Sequence, residues 1–322
     1  MATEALLTPN RRRRYVAENE LVLGTRSEEH IEKVISKLEG AYSPHTLAAY
    51  RADYLRFKRW CALTGARAFP ASPSTLVGFV RMLGPTLKIT TIRRMIITLR
   101  RLHQLACVAD PTVHIDVILA VRTIARNQVE RPQQALGITL ELRDRLMAVC
   151  DDDLGGIRDR ALLAVGFETL CRSSEIVALN IEDLQPTKPG SGSLVIARGK
   201  TDYSGFGRMV VLSQQTTQLL ERWLEQANVG QGAVFRPVYH TSALDRRLMP
   251  RAVGRILKAR AEQAGLTAEQ IKQISGHSLR VGGAQQLTID GRDLVQVMRA
   301  GGWRSVTTVS RYIENAELSL WE

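Results

Sequence analysis

The chain has 322 residues and is 44% hydrophobic, enough to build ordinary cores and too much for a disordered tail protein. Its formal charge of +12 and isoelectric point near 10.0 favour a polyanionic partner, nucleic acid ahead of membrane. Residues 1–130 hold 20 basic and 11 acidic side chains, a net +9, against +3 for the remainder. No apolar run approaches membrane-spanning length. The N-terminus, with Glu4 ahead of arginines at 11–14, lacks the charged-then-apolar order of a signal peptide. Cys61, Cys107, Cys150 and Cys171 form no Cys-x-x-Cys pair, which argues against a zinc ribbon and predicts free buried thiols in a reducing compartment. The expectation is a cytoplasmic protein with no membrane partner.

Residues 1–26 are polar and irregular and read as a basic arm. From 27 to 125 the pattern is helical, beginning with Ile31, Val34, Ile35 and Leu38 at helix spacing. Ser43-Pro44 offers an N-cap with proline at the first helical position. The helix that follows carries Tyr50, Tyr54, Phe57 and Trp60, with Arg51, Arg56, Lys58 and Arg59 interspersed. Ser72-Pro73 starts a third helix through Leu76, Phe79, Val80 and Leu83. A fourth begins near Thr90 or Thr91, with Ile92, Ile96, Leu99 and Leu102 on one side and Arg93, Arg94, Arg100 and Arg101 largely on others. Pro111 opens a fifth, over residues 113–124. The arginines of these helices are either solubility charges or groove and phosphate contacts, and the sequence weighs the two evenly.

Residues 126–137 are polar, aperiodic and contain Pro132, which marks an interdomain linker. In the second domain, 138–322, Thr139 caps a helix to Cys150, and residues 157–170 form an almost wholly apolar, hence buried, helix. Residues 193–197 and 208–212 are β-prone, joined by a glycine-containing loop that holds Lys200. The rest reads as helices broken by Gly230, Pro237, Pro250, Gly265, Gly291 and Gly301-Gly302. The fold class is mainly α: an N-terminal helical bundle followed by a mainly-α domain with a small antiparallel β-sheet.

His277 and Arg280 stand three apart and on a helix share one face. Trp303 and Tyr312 follow, so a histidine, an arginine, an indole donor and a phenol fall within under forty residues. That set suits stabilisation of phosphate-like negative charge, not metal binding or hydride transfer. Upstream, Arg172 and Glu175 close the apolar helix. Taken singly, each residue has an ordinary reading: a structural ion pair, a surface lysine, a hydrogen-bonded core histidine, a core indole, a packed phenol.

As an ordered set they are more specific. Arg172-x-x-Glu175, Lys200 in a β-hairpin loop, Gly276-His277-Ser278-x-Arg280-Val281-Gly282, Ala300-Gly301-Gly302-Trp303 and Arg311-Tyr312-Ile313 together resemble the tyrosine recombinase (phage integrase) family, in particular its Cre-like members. The resemblance spans 138–322 and extends into 27–125 through Ser43-Pro44-His45-Thr46 and Trp60-Cys61. It implies a core-binding domain, a linker and a catalytic domain whose C-terminal tail, with Leu318, Leu320 and Trp321, is donated to a neighbouring subunit. It also implies site-specific recombination of double-stranded DNA at inverted-repeat sites, by a homotetramer, through a 3′-phosphotyrosyl intermediate and a Holliday junction.

Within that family Tyr312 corresponds to the nucleophile, and Arg172, Arg280, His277 and Trp303 to donors that hold the phosphate. Lys200 corresponds to the general acid, and Glu175 to a group that orients His277 and balances the arginines. No cofactor, ATP or metal is implied, in keeping with the absence of a Gly-x-x-x-x-Gly-Lys-Ser/Thr loop and of an acidic metal triad. Base contacts are implied for the helix around Ala48, Ala49 and Arg51, for the helix around Arg93 and Arg94, and for Arg251. The small Ala48 and Ala49 predict a target unlike that of the relatives. The expected setting is a prokaryotic cytoplasm, at the nucleoid, with a phage, plasmid or mobile element as the source. A DNA-binding regulator would have no use for Tyr312, Lys200 and paired arginines together. A type IB topoisomerase shares the active-site logic but is disfavoured by the separate helical domain and the apolar tail.

Overall fold

Serine and proline set two of the helix starts in the first half. The computed structural model describes residues 29–128, 133–186, 192–196 and 207–316. The arginines at 11–14, Lys200 and the apolar tail at 317–322 lie outside the described residues. The described residues fall into two compact units, on either side of the junction between residues 131 and 132.

The first unit holds α1 (Glu29–Ser36), α2 (Pro44–Thr64), α3 (Pro73–Leu83), α4 (Ile89–Leu105) and α5 (Ile115–Asn127). Ser43 Oγ accepts the Thr46 N–H at 3.2 Å and Ser72 Oγ that of Thr75 at 3.1 Å, each ahead of proline at the first helical position. The expected fifth helix starts later than its proline. Pro111–Val113 is a single 3-10 turn closed by Asp110, which accepts the Thr112 N–H at 2.9 Å. Extended backbone at His114 (ψ 139°) then separates that turn from α5. Phe57, Leu76, Phe79, Ile92, Leu99 and Leu102 are fully buried together, with the Phe57 and Phe79 rings edge-on at 4.9 Å. Burial of each such side chain contributes about 1.5–3 kcal/mol.

The second unit begins with α6 (Leu140–Ala148), α7 (Leu154–Thr169) and α8 (Ser173–Ile176). Next come β1 (Leu184–Pro186), β2 (Gly192–Ile196), β3 (Arg208–Val211), α9 (Gln214–Gln226), β4 (Val238–Tyr239) and β5 (Ser242–Ala243). It closes with α10 (Pro250–Gln263), α11 (Ala268–Gln273), α12 (Ser278–Ile289), α13 (Leu294–Gly301) and α14 (Val306–Ile313). The sheet is antiparallel in the order β1-β2-β3, with Leu194 paired to Leu184 on one side and Val210 on the other. Two of its strands are those the β-prone runs predict. β1, three residues ending in proline, and the two-residue β4–β5 pair carry no sequence period of their own. Mainly helical with a small antiparallel sheet, the architecture has the expected class.

α7 is the axis of this unit. From Ala161 to Phe167 every residue is apolar and buried, so over these two turns the helix is covered on all sides. α12 packs so closely that a Cβ at Gly282 would lie 1.8 Å from the Ile138 carbonyl oxygen, and one at Gly283 2.6 Å from that of Phe167. That approach, open only to glycine, carries Arg280 into the interior, where it is 0% exposed. The cysteines are free; Cys61, Cys150 and Cys171 are buried. Cys107 corrects the expectation of a buried thiol: it is exposed, in a left-handed turn (φ 55°) just past α4. No described helix is long and apolar enough to cross a membrane.

Candidate active site

The chain leaves α7 through Leu170, whose left-handed backbone (φ 50°, ψ 30°) turns its carbonyl into the interior. That carbonyl accepts a hydrogen bond from Arg280 Nη1 at 2.5 Å. Two residues on, Arg172 is the N-cap of α8, and Glu175 reaches back to it. Glu175 Oε2 accepts the Arg172 backbone N–H at 3.1 Å, and Oε1 accepts Arg172 Nη1 at 2.5 Å. The ion pair of the structural reading is formed, and Arg172 remains a quarter exposed toward solvent. Ser173 Oγ donates to the Gly276 carbonyl at 2.7 Å and ties α8 to the segment bearing His277.

His277 stands one residue ahead of α12, not within it as its spacing from Arg280 suggests. Its backbone (φ −93°, ψ −10°) is near-helical and its carbonyl accepts the Val281 N–H at 2.9 Å, so it stays in step with the helix. The residue is exposed at the edge of the site. Partial burial of the ring, then Arg280 and Arg172, lower its pKa, and Glu175 opposes them. Glu175 does not orient His277 as expected: its oxygens are engaged by Arg172, and Oε2 lies 3.6 Å from Arg208 Nη2. It balances arginines and acts on His277 through space.

Gly302 closes α13 in the left-handed conformation (φ 66°) and aims Trp303 back under the helix, with the Trp303 N–H on the Met298 carbonyl at 2.9 Å. A Cβ at Gly301 would sit 1.9 Å from the Trp303 ring, so the small residue before it is a condition of this placement. The Arg280 guanidinium lies over the indole, Cζ to ring centroid 4.0 Å, and 5.5 Å from the Tyr312 ring centroid. Tyr312, half-buried on α14, stands 4.9 Å from Trp303, centroid to centroid. Six of the seven predicted residues and Glu175's second arginine partner thus share one place, Lys200 lying outside the described residues; Trp303 and Tyr312 enter through Arg280, which links them to the rest.

Burial, reinforced by Arg172, pushes the Arg280 pKa down to about 10, which still leaves it charged at neutral pH. Arg280 Nε and Nη2, Trp303 Nε1 and Arg208 Nη1 are buried donors without a partner among the described residues. Each such group costs about 1–3 kcal/mol in the absence of an acceptor. Arg172, Arg208 and Arg280 against Glu175 leave a net positive cluster, and the orphaned donors of Arg280 and Trp303, beside the Tyr312 ring, ask for an anion with several acceptor oxygens.

Two contributors were not evident from the sequence. Arg208, the first residue of β3, shows there only as a charge opening a β-prone run. Gln134, inside the presumed linker, donates from Nε2 to the carbonyls of Arg311 at 2.5 Å and Tyr312 at 3.0 Å, and its Oε1 accepts from Asn315 Nδ2 at 2.7 Å. It caps the C-terminal end of the tyrosine-bearing helix. No local pattern marks a glutamine for a partner so far along the chain.

Of the residues expected to meet bases, Ala48, Ala49 and Arg51 lie on α2 and Arg93 and Arg94 on α4. Ala48 and Arg93 are exposed, whereas Arg51 faces Glu32 at 3.5 Å and Glu39 at 3.3 Å. Arg94 is half-exposed and bonded through Nη1 to the buried Asp53, which also accepts Thr98 Oγ1 at 2.9 Å. Arg251 is exposed in the first turn of α10.

The Phage integrase family model matches residues 138–318, and that of the phage integrase N-terminal SAM-like domain matches 36–109. The chain belongs to the phage integrase family. It is a tyrosine recombinase, an enzyme that cleaves and rejoins DNA. It is 29% identical over 297 residues to the integrase/recombinase xerD homolog of Selenomonas ruminantium, covering 89% of this chain and 86% of that one. To recombinase cre of Escherichia phage P1 it is 28% identical over 298 residues, 86% of each. The chain is thus as near to a Xer-type recombinase as to Cre. Among solved structures, XerH bound to palindromic difH substrate in a post-cleavage complex matches 97% of this chain and 87% of its own, at 18% identity and TM-score 0.61. A lambda integrase dimer bound to a COC′ core site matches 97% and 90%, at 14% identity and TM-score 0.60.

Proposed function

We propose that this recombinase exchanges strands between two inverted-repeat DNA sites as a homotetramer, through 3′-phosphotyrosyl and Holliday-junction intermediates, with Tyr312 as nucleophile. The observation that carries the reading is the set of unpartnered buried donors on Arg280 and Trp303 beside the Tyr312 ring. A scissile phosphate supplies the acceptors those donors lack.

The Tyr312 oxygen attacks phosphorus and its phenolic proton passes to water, while the neutral imidazole of His277 donates its ring N–H to the phosphate. The P–O5′ bond breaks, and Lys200 protonates the departing oxygen. Arg172 and Arg280 hold the non-bridging oxygens through planar forks, and the Trp303 N–H adds a donor where negative charge grows. One phosphodiester becomes another ester of similar energy, so rejoining needs no separate energy source. Residues 27–125 would bind the core of the site, with base contacts from α2 around Ala48, Ala49 and Arg51 and from α4 around Arg93 and Arg94. Arg251 would add a contact from the catalytic domain, residues 138–322. The apolar tail holding Leu318, Leu320 and Trp321 would dock on a neighbouring subunit. The setting proposed is the DNA of a prokaryotic cell.

Tyr312→Phe tests this with a DNA fragment selected for binding. Covalent protein–DNA capture should vanish while the gel shift persists, and the wild type should join two sites and yield a four-way junction. Capture that survives the substitution overturns the nucleophile, and relaxation of a supercoiled plasmid without pairing of sites favours the topoisomerase reading. Deleting residues 318–322 should impair tetramer assembly; unchanged assembly sinks the role of the tail.

A further inference from the structure

The hairpin of β2 and β3 meets the site through one described side chain. Arg208 follows by two residues the end of the segment that contains Lys200. Along β3, Met209 and Val211 face outward at 64% and 63% exposure, whereas the Arg208 side chain turns inward and is 16% exposed. Its Nη2 donates to the Thr169 carbonyl at 3.0 Å and lies 3.6 Å from both Cys171 Sγ and Glu175 Oε2. Its Nε lies so near Gly302 that a Cβ there would be 3.1 Å away. One rigid planar group therefore bonds to one part of the site and lies beside two others. These are the turn whose Leu170 carbonyl holds Arg280, the carboxylate that holds Arg172, and the turn that aims Trp303. Its effect on the buried Arg280 is repulsive, so its inward course rests on the Thr169 carbonyl and the Glu175 carboxylate, which offset that repulsion.

We propose that Arg208 is a positioning residue for strand cleavage: it pins the base of the β2–β3 hairpin to the arginine clamp, so that the lysine in the connecting loop can deliver its proton. This rests on the reading of Lys200 as general acid. In the step served, the Tyr312 oxygen–phosphorus bond forms and the P–O5′ bond breaks. The electron pair of the broken bond stays on O5′, and the Lys200 ammonium gives that oxygen a proton. Arg208 touches neither bond.

The test compares an ordinary duplex site with one that has sulfur in place of the bridging 5′ oxygen. A thiolate is a good leaving group without protonation, so that substrate has no need of the acid. Covalent capture is timed for Lys200→Ala, Arg208→Met and Arg208→Gln, each against wild type on the same DNA. Gel shifts and unfolding midpoints are measured in parallel. All three should be slowed on the order of 10²-fold with oxygen and return to within a few-fold of wild type with sulfur. Arg280→Lys, which weakens the clamp itself, should stay slow on both. Recovery by Lys200→Ala but not by the Arg208 variants overturns the positioning role and leaves the lysine's role intact. Failure of Lys200→Ala to recover removes the general acid, and the Arg208 proposal with it. Arg208→Gln, smaller and uncharged but still a donor, keeps the test open if Arg208→Met does not fold; wild-type cleavage of both substrates by a folded Arg208→Gln also overturns it.

Discussion

Arg280 lies over the Trp303 indole at 4.0 Å, yet among the described residues Arg280 Nε and Nη2 and Trp303 Nε1 find no acceptor. The stack holds the guanidinium in place by a cation–π contact worth about 0.5–2 kcal/mol, and among the described residues one of its nitrogens is engaged, Nη1 with the Leu170 carbonyl. Donors fixed before the ligand arrives need no reorganisation as charge develops, which is the condition for electrostatic catalysis.

Trp303→Phe keeps a ring under Arg280 and deletes the indole N–H. Cleavage should slow on the order of 10²-fold with DNA affinity little changed. Single-turnover capture kinetics and a gel shift separate the two. Trp303→Ala should in addition lose about 3–5 kcal/mol of stability, because the ring is buried.

Arg280→Met should abolish cleavage without lowering the urea midpoint of the DNA-free protein. It removes a buried charge with two unsatisfied donors, and their cost offsets the lost Leu170 hydrogen bond and indole stack. A marked fall in the midpoint would show that Arg280 is chiefly a structural residue.

His277 gives a pH dependence of definite sign. Its folded pKa is lowered from 6.5, so as pH falls the unfolded chain binds the proton first. The folded state should be fully favoured above about pH 6.5 and lose stability as pH drops from there toward the lowered value. Urea midpoints compared between about pH 8 and about pH 5.5 should fall further for wild type than for His277→Gln. Equal falls would contradict the shift.

Gln134→Ala should release the end of α14. Two carbonyls lose a partly exposed partner, worth on the order of 1 kcal/mol, and amide exchange across 306–316 should quicken about fivefold. Covalent capture should slow with it, since Tyr312 rides on that helix. Unaltered exchange would mean that the cap does not hold the helix.

Arg94 and Asp53 set a structural task against a reading task on one helix face. Arg94→Ala leaves the buried Asp53 with only Thr98 described beside it and should destabilise the first unit by about 1–2 kcal/mol, discounted for Arg94's exposure. If Arg94 also reads a base, selection of bound sites by the variant should show relaxed preference at one position per half-site.

The chain's order alone determined the helical bundle, the buried α7 and the set from Arg172 to Tyr312. Caps, apolar periods and motif spacing act between near neighbours, and the order of chemical groups is written directly. Even there His277 fell one residue outside its helix, because Ser275-Gly276 delays the start, and Pro111 closed a turn where a helix start was expected. Tertiary structure alone decided which groups balance which. Glu175 divides between Arg172 and Arg208, Gln134 reaches α14, Leu170 offers a carbonyl to Arg280, and Arg94 answers to Asp53. These partners lie from three to well over a hundred residues apart and carry no shared period. Burial makes each pairing obligatory, since a polar group removed from water must find a partner, but only packing determines which one is within reach.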